Sequence, residues 1–410
     1  MNYVIIGNSA AAVGCIEGIR SVDQTGKITV ITDENHHVYS RPLISYLIYG
    51  KTTEQKMKYR PDSFYQENDV NLMLGTTVTK VDYENKQVIV DKGEPVPFDK
   101  LLFATGSSPF VPPMAGLDEV KEKISFMKLD DAKALQAAIT PESRVLIIGA
   151  GLIGLKCAEG ILSKVKSITV VDLAPRILPS ILDEDGSAIM QKHIESKGVK
   201  FILSNSVAQF HADSAELKSG ETVDFDVLVL AVGVRPNTKL AAEIGCKVGK
   251  GVVSDDHCAT NLPGVYAAGD CSESFDITED TLRVLALWPN AHMQGETAGI
   301  NMAGGEKIYD KAIPMNAIGF FGLHIITAGS YNGEAYTVKT ENGYKKLITR
   351  DNLLKGYILI GEVARAGIYT SLIREKTPLD TVDFELIKQK PQLMAFAAAE
   401  RAVKLGGAKA

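Results

Sequence analysis

Two runs of small residues in this chain have the composition of turns that bind phosphate groups. The first extends from Gly7 to Ala12, and the second extends from Gly149 to Gly154. The N-terminus of a helix presents unpaired N–H groups and a partial positive charge, which together attract the negative charges of a dinucleotide pyrophosphate. The backbone must approach the phosphates closely, so the side chains in such a turn are small. The two runs therefore predict two dinucleotide-binding sites.

The second run is the more complete of the two. Gly149, Gly151 and Gly154 fill every glycine position of the G-x-G-x-x-G pattern, with Leu152 and Ile153 in between. A single match also occurs in strand-to-helix turns that bind no ligand, but a second copy in the same local context favours nucleotide binding. We expect these residues to bind a dinucleotide.

The first run is degenerate. Gly7 is kept, Ser9 stands at the second glycine position, and an alanine takes the third. Ser9 is also expected to cap the following helix through its hydroxyl group. The other small residues predicted to lie against a nucleotide here are Ala10, Ala11 and Ala12.

An acidic residue follows each run at the distance expected for a ribose contact. Glu34 and Asp172 each lie about 20 residues beyond the last small residue of their turn, where a carboxylate accepts hydrogen bonds from ribose hydroxyls. Asp172 should repel a 2′-phosphate, which favours NADH over NADPH. Arg176 is close enough in sequence to weaken that preference.

Each turn lies between a strand and a helix in a β–α–β pattern. Short apolar runs indicate buried strands, and the residues after each turn have helical periodicity. The strand, helix and strand predicted for the two units are 4–6, 10–20 and 27–32, and 144–148, 155–165 and 167–171.

The composition is that of an ordinary globular protein, with 45% hydrophobic and 23% charged residues. The formal net charge of −6 gives no general basis for nucleic acid binding, which depends on neutralising phosphates. No apolar run approaches the roughly 20 residues that cross a membrane, and residues 1–7 contain no basic signal-peptide region. We expect a soluble cytoplasmic protein with no nucleic acid or membrane partner.

Five cysteines are scattered through the chain, and none forms a C-x-x-C pair. We expect neither a disulfide framework nor a metal site. The pair of dinucleotide sites instead suggests a flavin and a nicotinamide, because a nicotinamide supplies a hydride, whereas a flavin accepts it and releases single electrons.

Further motifs resemble those of a family of two-dinucleotide flavoproteins. The A-T-G-x-x-P crossover motif of that family is matched by Ala104, Thr105 and Gly106, and its second crossover is matched around Gly233. These residues are expected to line the two nucleotide sites.

The remaining matches concern FAD. Gly269 and Asp270 end a segment similar to the family's second FAD motif, in which the aspartate binds the ribityl chain. Ala291 and Gly295 fall where the family begins the helix that faces the flavin. Arg41 belongs to a segment similar to Y-x-R-P-x-L, and the resemblance places it near FAD, although a structural role is also open.

The chain is identified by these motifs as resembling the pyridine nucleotide–disulfide oxidoreductase-type flavoproteins, in the branch of NADH:rubredoxin reductase and the FAD part of assimilatory nitrite reductase. This implies an α/β fold with two Rossmann-like dinucleotide-binding domains, one inserted in the other as in glutathione reductase. FAD is expected in residues 1–110 and 241–311, and NAD(H) in 111–240. A C-terminal mixed α+β interface domain, residues 312–410, would supply homodimer contacts or the docking face of the acceptor. Within it, Asn332-Gly333 and Asn342-Gly343 predict hairpin turns.

Departures from the family pattern narrow the chemistry. The chain lacks the cysteine that the disulfide, peroxidase and oxidase branches place beside the flavin, so electrons should leave the flavin without a thiol relay. Lys156 stands where the family usually has a glutamate near the flavin–nicotinamide interface. It either stabilises an anionic reduced flavin or pairs with an acid such as Glu159. Trp288 either stacks near the flavin or packs in the core.

The combined prediction is an FAD-dependent NAD(P)H oxidoreductase. It would pass a hydride from NADH to FAD, and then electrons to a one-electron acceptor such as rubredoxin or another small iron–sulfur protein. Three alternatives stay open. They are an NADH oxidase or peroxidase, a redox-sensing subunit without turnover, and an electron-entry subunit of a larger complex, for example one linked to a carbon monoxide dehydrogenase or a hydrogenase.

Overall fold

The computed structural model describes residues 1–340 and 343–404 of the chain. The chain folds into two compact units, each assembled from separate segments. The first consists of Met1–Ile177, Gly198–Phe275 and Leu282–Asp310, and the second consists of Leu178–Lys197, Asp276–Thr281 and the residues from Lys311 onwards. Both predicted nucleotide-binding turns belong to the first unit. The predicted boundaries between an FAD domain and an NAD domain stay a prediction.

The first turn follows the central strand of a five-stranded parallel sheet. In spatial order the strands are Val265–Ala267, Lys100–Phe103, Asn2–Ile6, Lys27–Ile31 and Val70–Met73. The central strand pairs in parallel with both of its neighbours, and its last four residues are buried. A strand that is covered on both faces needs a continuous apolar run, as the sequence has here. Both strands predicted for the first unit are confirmed.

The second turn follows the central strand of a second five-stranded parallel sheet. Its strands in spatial order are Val199–Ile202, Ser167–Val171, Arg144–Ile148, Val227–Leu230 and Lys123–Ser125. The strands predicted at 144–148 and 167–171 are confirmed. The helix after the turn is Leu152–Ile161, so it begins earlier than predicted and its last part is a 3-10 turn, Leu162–Lys164.

Two helices of the first unit cross at glycines on both sides. Helix Ala10–Val22 contributes Gly14 and Gly18, and helix Trp288–Met302 contributes Gly295 and Gly299. A Cβ on Gly14 would lie 2.2 Å from the backbone oxygen of His292, and a Cβ on Gly295 would lie 2.0 Å from that of Ala11. The backbones can approach this closely only because all four side chains are absent. Packing therefore accounts for Gly295 without a ligand.

The remaining elements of the chain before Asp310 are short. Further helices are Ile44–Tyr49, Glu54–Met57, Phe64–Glu67, Leu129–Ala138 and Lys239–Glu243. Small sheets are formed by Val78–Asp82, Gln87–Val90 and Val96–Pro97, by Val207–Phe210, Ser214–Leu217 and Thr222–Asp224, by Val252–Val253, Ser272–Asp276 and Thr281–Arg283, and by Ser107–Pro109 with Val234–Pro236. Within the described residues, none of the helices combines the length and the apolar character that a membrane span requires.

The second unit is built on a five-stranded sheet whose neighbouring strands are antiparallel. In spatial order the strands are Met315–Phe320, Leu323–Gly329, Leu353–Ile360, Gly343–Arg350 and Glu334–Thr340. Its helices are Glu184–Glu195, Ala366–Arg374, Phe384–Gln389 and Ala398–Lys404. The C-terminal mixed α+β prediction is confirmed, although contacts group helix 184–195 with this unit.

One of the two predicted hairpin turns is wrong. Strands Leu323–Gly329 and Glu334–Thr340 flank Asn332-Gly333, but they do not pair with each other. Strand 323–329 pairs instead with strands 315–320 and 353–360. The second predicted turn joins strands that do pair, with Thr340 opposite Gly343, while its first residue, Asn342, lies outside the described residues.

Candidate active site

The first glycine of each turn is required by the protein itself. Gly7 has φ +112° and Gly149 has φ +114°, values that favour glycine. A Cβ on Gly7 would lie 2.1 Å from the backbone oxygen of Ala104, and a Cβ on Gly149 would lie 2.3 Å from that of Ala231. Each of these alanines belongs to one of the two crossover motifs. The two turns are therefore built in the same way, each against its own crossover.

The other two glycines of the second turn, Gly151 and Gly154, differ in whether the protein fold itself requires a glycine. A Cβ on Gly154 would lie 2.0 Å from the backbone oxygen of Gly149, so Gly154 is needed for packing. Gly151 has an ordinary φ of −85°, and no described atom lies within 4 Å of its ideal Cβ position. Neither backbone conformation nor packing requires a glycine there. Leu152 and Ile153, which follow it, are partly exposed.

Ser9 does not cap its helix through its side chain, contrary to the prediction. It occupies the N-cap position, where the hydroxyl normally accepts a hydrogen bond from the first helical turn. The three alanines that follow, Ala10, Ala11 and Ala12, are at most 5% exposed. Because these methyl groups are buried, any nucleotide contact here falls to the Ser9 hydroxyl and to backbone N–H groups.

Glu34 and Arg41 were predicted separately, and the structure brings them together. Arg41 forms an ion pair with the Glu34 carboxylate. The Tyr39 hydroxyl donates to the same carboxylate at 2.8 Å and accepts from the Leu129 N–H at 2.9 Å. Tyr39 is buried, and burial raises the pKa of its hydroxyl. It belongs to the Y-x-R-P segment, but only the structure reveals that it links Glu34 to helix 129–138.

Asp172 forms a hydrogen bond with the backbone of the second turn. Its carboxylate accepts the Ala150 N–H at 2.6 Å and the Ala174 N–H at 2.7 Å. The first of these bonds joins the end of strand 167–171 to the glycine turn of the neighbouring strand. Asp172 is partly exposed, and a carboxylate can accept further hydrogen bonds.

The two crossover motifs form one antiparallel ribbon. Strand Ser107–Pro109 pairs with strand Val234–Pro236. Asn237, which follows the second strand, donates to the Thr105 carbonyl at 2.8 Å, while the Thr105 hydroxyl donates to the Asn237 carbonyl at 2.7 Å. The Ser108 hydroxyl also donates to the Asn237 side chain at 2.8 Å. Asn237 is a joining residue that sequence reasoning did not single out.

The glycines of the two crossovers are needed for their backbone conformations. Gly106 has φ +62° and Gly233 has φ +110°. No atom of the described residues lies within 4 Å of the Cβ position of either one. A side chain at either position would therefore be strained rather than crowded.

Asp270 lies in a loop that contacts helix 288–302. The Gly269 N–H donates to the Gln294 side chain at 2.8 Å, and the Cβ of Ala291 is 3.5 Å from the Cβ position of Gly269. Burial raises the pKa of the Asp270 carboxyl, and the charge of Arg41 acts in the opposite direction. In the part of the chain that the structure describes, no group donates a hydrogen bond to this carboxylate.

Residues 1–295 match the family described as pyridine nucleotide-disulphide oxidoreductase. This chain belongs to that family. Residues 314–377 match the rubredoxin NAD+ reductase C-terminal domain. Members of this family bind FAD and NAD(H), so the protein is an FAD-dependent NAD(P)H oxidoreductase. The predicted family and the predicted arrangement of two Rossmann-like folds are both confirmed.

Relatives within the family differ in length. The chain is 32% identical to "Nitrite reductase [NAD(P)H]" of Bacillus subtilis over 388 residues, which cover 92% of this chain but 47% of the relative. It is 30% identical to the "NADH-dependent phenylglyoxylate dehydrogenase subunit epsilon" of Aromatoleum evansii, with 92% of both chains covered. It is 33% identical to an "NADH oxidase" of Methanocaldococcus jannaschii over 75% of this chain and 71% of the relative. This chain thus spans about half of the nitrite reductase.

Solved structures share the fold. The covalent putidaredoxin reductase–putidaredoxin complex superposes with a TM-score of 0.87 at 22% identity, covering 95% of this chain and 96% of that one. NADH:rubredoxin oxidoreductase from Clostridium acetobutylicum gives a TM-score of 0.76 at 22% identity, covering 93% and 97%.

The family's two cofactors fit the residues present. Gly151 leaves open space at the N-terminus of helix 152–161, where a pyrophosphate is favoured by the helix dipole and N–H groups. The Asp270 carboxylate is partly buried and accepts no hydrogen bond from a described group, so its lone pairs can accept hydrogen bonds from a polyol chain. Ser9 leaves a hydroxyl unused by its helix. These residues therefore fit a group with a pyrophosphate and a polyol chain.

Lys156 stands at the position where the family usually has a glutamate, and it is paired with an acidic residue. Its ammonium group forms an ion pair with Glu159, and the two side chains are only 12% and 11% exposed. It also lies 4.5 Å from the ring centre of Tyr46 in helix 44–49. The alternative that Lys156 pairs with Glu159 is thus confirmed, while its influence on a reduced flavin stays a prediction.

All five cysteines are buried: Cys15, Cys157, Cys246, Cys258 and Cys271. Burial raises the pKa of every one of these thiols. A reactive cysteine needs the opposite, namely a stabilised and accessible thiolate. Cys271 follows Asp270, yet its thiol donates to the Phe103 and Ala268 carbonyls. The cysteines therefore act as packing residues.

Proposed function

We propose that this oxidoreductase passes electrons from NADH through FAD to a small one-electron iron–sulfur carrier of the rubredoxin type. FAD, when bound, accepts a hydride from NADH and returns the electrons one at a time. The observation that carries the proposal is the combination of two turns of the same design with five cysteines that are all buried, a location that raises the pKa of each thiol. Relatives in the family include "Rubredoxin-NAD(+) reductase" of Pseudomonas putida, which is 28% identical over 310 residues.

The FAD site that we propose uses the first turn and the loop of Asp270. The N–H groups at the start of helix 10–22 and the Ser9 hydroxyl would bind the pyrophosphate, because that helix terminus attracts anions. Asp270 would accept a hydrogen bond from the ribityl chain, and Glu34 one from the ribose. The other residues proposed for this site are Gly7, Ala10, Ala11, Ala12, Arg41, Ala104, Thr105, Gly106, Gly269, Ala291 and Gly295.

The NAD(H) site that we propose uses the second turn. The N–H groups that precede helix 152–161 would bind the pyrophosphate in the space that Gly151 leaves. Asp172 would accept a hydrogen bond from the ribose with its remaining lone pairs, and its charge would disfavour a 2′-phosphate. The other residues proposed for this site are Gly149, Leu152, Ile153, Gly154 and Gly233.

The direct route of electrons out of the flavin follows from the state of the thiols. A thiol relay requires a cysteine that ionises beside the ring. Every cysteine here is buried with a raised pKa, so the protein offers no such group. We propose that the acceptor takes electrons from the flavin without a covalent intermediate on sulfur.

A second role is favoured by one relative. The phenylglyoxylate dehydrogenase subunit matches this chain over 92% of both lengths, and by its name that relative is part of a larger enzyme. The same flavin chemistry would then serve as the electron entry of a multisubunit complex. A cytoplasmic location, and a homodimer formed through residues 312–410, stay predictions.

The proposed function is tested anaerobically with the purified flavoprotein. NADH should bleach the flavin absorbance, and addition of oxidised rubredoxin should restore it while the rubredoxin spectrum fades. Rapid oxygen consumption with NADH alone would favour the oxidase alternative. Bleaching that no iron–sulfur carrier reverses would contradict the proposed acceptor and favour a dedicated complex partner.

A further inference from the structure

We infer that residues 44–60, here called the basic segment, form the docking surface for a small acidic electron carrier. This inference rests on the function proposed above. The whole chain is acidic, with 44 Lys+Arg against 50 Asp+Glu. The basic segment reverses this balance, since it carries one carboxylate, Glu54, and four cationic side chains. These cationic residues are Lys51, Lys56, Lys58 and Arg60.

Two of the four cations are available to a partner. Lys51 and Lys56 are exposed, and neither ammonium group forms an ion pair with any described carboxylate. The Lys51 ammonium lies 4.3 Å from the ring centre of Tyr49, which is itself 40% exposed. An unpaired cation next to an exposed tyrosine is typical of contact surfaces, which are enriched in aromatic residues.

The other two cations stiffen the segment. Arg60 donates to both carboxylate oxygens of Glu17, at 2.6 and 3.0 Å, and its guanidinium carbon lies 4.3 Å from the ring centre of Tyr59. Lys58 pairs with Asp62. Such bidentate and stacked contacts fix side chains in place. These contacts hold the last residues of the segment against Glu17 and Asp62, while Lys51 and Lys56 stay open to a partner.

The basic segment contacts or adjoins an element of each β–α–β unit. At its beginning, helix 44–49 packs against helix 152–161 of the second turn, where a Cβ on Gly160 would lie 3.0 Å from the Ser45 carbonyl oxygen. Shortly before it, Arg41 is paired with Glu34, which follows strand 27–31 of the first β–α–β unit. A carrier bound to the segment would therefore lie next to elements of both β–α–β units.

At its other end the segment contacts the helix that positions the Asp270 loop. The Tyr59 ring packs edge to face against Trp288, with ring centres 5.0 Å apart. Trp288 is partly exposed and begins helix 288–302, whose Gln294 holds the Gly269 N–H. Trp288 is thus a partly exposed residue whose ring partner, Tyr59, lies in the basic segment.

The chemistry of this surface selects its partner. A local positive surface on a negative molecule attracts an acidic protein to one orientation and repels it elsewhere, which raises the association rate more than the final affinity. Nucleic acid is disfavoured by the overall charge. Small electron carriers with acidic surfaces match the sign, and their contacts with such partners are brief and salt-sensitive.

The test compares two double charge reversals in the loaded flavoprotein. Lys51→Glu with Lys56→Glu alters the basic segment. Lys166→Glu with Lys239→Glu is the matched control, since these side chains are 62% and 88% exposed and lie outside the segment. Both variants change the net charge equally. The measurements are the steady-state KM and kcat for an acidic rubredoxin at several ionic strengths, the turnover with menadione, a small neutral acceptor, and rubredoxin binding by calorimetry.

We expect the segment variant to raise the rubredoxin KM about tenfold at low salt and to weaken calorimetric binding by a similar factor. The difference from wild type should shrink at about 1 M salt, where the Debye length falls to about 3 Å. Menadione turnover should be unchanged in both variants.

Three outcomes overturn the inference, and they are distinguishable. Equal KM values for the segment and control variants would show that the carrier docks elsewhere, for example on residues 312–410. A fall in menadione turnover would assign the lysines to the flavin site instead of docking. A wild-type protein that reduces menadione but no iron–sulfur carrier would remove the proposed function itself.

Discussion

Gly151→Ala should separate nucleotide binding from folding. Gly151 has φ −85°, and the added methyl group would have no described atom within 4 Å. Replacing glycine by alanine at a helix N-cap typically costs about 1 kcal/mol, which is a small loss for a chain of this size. The unliganded protein should therefore keep nearly its wild-type melting temperature.

The ligand should respond much more strongly. The methyl group would enter the space in front of the helix N-terminus, where we propose that the pyrophosphate binds. Loss of one hydrogen bond to a charged group costs about 1.5–3 kcal/mol, which corresponds to roughly 10- to 150-fold weaker binding. The assay is titration with NAD+, which binds without reducing the flavin, combined with thermal unfolding.

Gly154→Ala supplies the control. Its Cβ would lie 2.0 Å from the Gly149 backbone oxygen, so this substitution should lower the melting temperature markedly. The reasoning is refuted if Gly151→Ala binds NAD+ as tightly as the wild type. It is also refuted if Gly151→Ala unfolds as early as Gly154→Ala, because the glycine would then be structural.

Three further predictions follow from the site. Asp172→Ala removes the acceptor of two backbone N–H groups, so it should destabilise the fold by about 1–3 kcal/mol and also reduce the ratio of kcat/KM for NADH over NADPH; an unchanged ratio would mean that the carboxylate does not contact the ribose. Asp270→Asn should not destabilise the FAD-free protein at neutral pH. Burial raises the pKa of the Asp270 carboxyl in the folded state. At a pH above the pKa of this carboxyl in the unfolded chain, its ionisation therefore opposes folding, and the neutral amide removes that cost. The same variant should bind FAD more weakly in a fluorescence titration, and wild-type FAD affinity would contradict the assignment. Replacing all five cysteines with alanine or serine should leave NADH-to-rubredoxin turnover largely intact after correction for FAD content; loss of turnover on removing one of them alone would indicate a thiol in the pathway.

The strands and both turns could be predicted from sequence because their determinants are local. The apolar run at 144–148 and Gly149, Gly151 and Gly154 follow one another directly, and a continuous apolar run of this length is typical of a strand buried on both faces. The pattern does not reveal that a glycine is needed for a different reason at each of the three positions. Gly149 faces Ala231, Gly154 faces Gly149, and only Gly151 faces open space. That distinction depends on atoms that are remote in sequence.

The residues that sequence reasoning missed act across long separations. Asn237 joins the two crossovers through Thr105, and Gln294 holds Gly269. Tyr39 reaches Leu129 at the start of helix 129–138. Their amide and hydroxyl groups have no local signature, because the same residue types are common on any surface.

Two predictions were wrong for physical reasons. The Ser9 hydroxyl forms no cap, although Ser9 occupies the N-cap position, so residue type alone did not decide the hydrogen bond. The turn at Asn332-Gly333 does not close a hairpin, because strand 323–329 is already paired on both edges with 315–320 and 353–360. Tertiary pairing overrode the local turn preference.

The central claim is that electrons pass from NADH to FAD and leave without a second redox centre on sulfur. The most direct measurement is an anaerobic titration of the purified flavoprotein with NADH, followed by flavin absorbance. We predict complete bleaching at about one NADH per FAD, since the flavin alone takes up the two electrons. A requirement for about two NADH per FAD would reveal a reducible disulfide or sulfenate and would contradict the account.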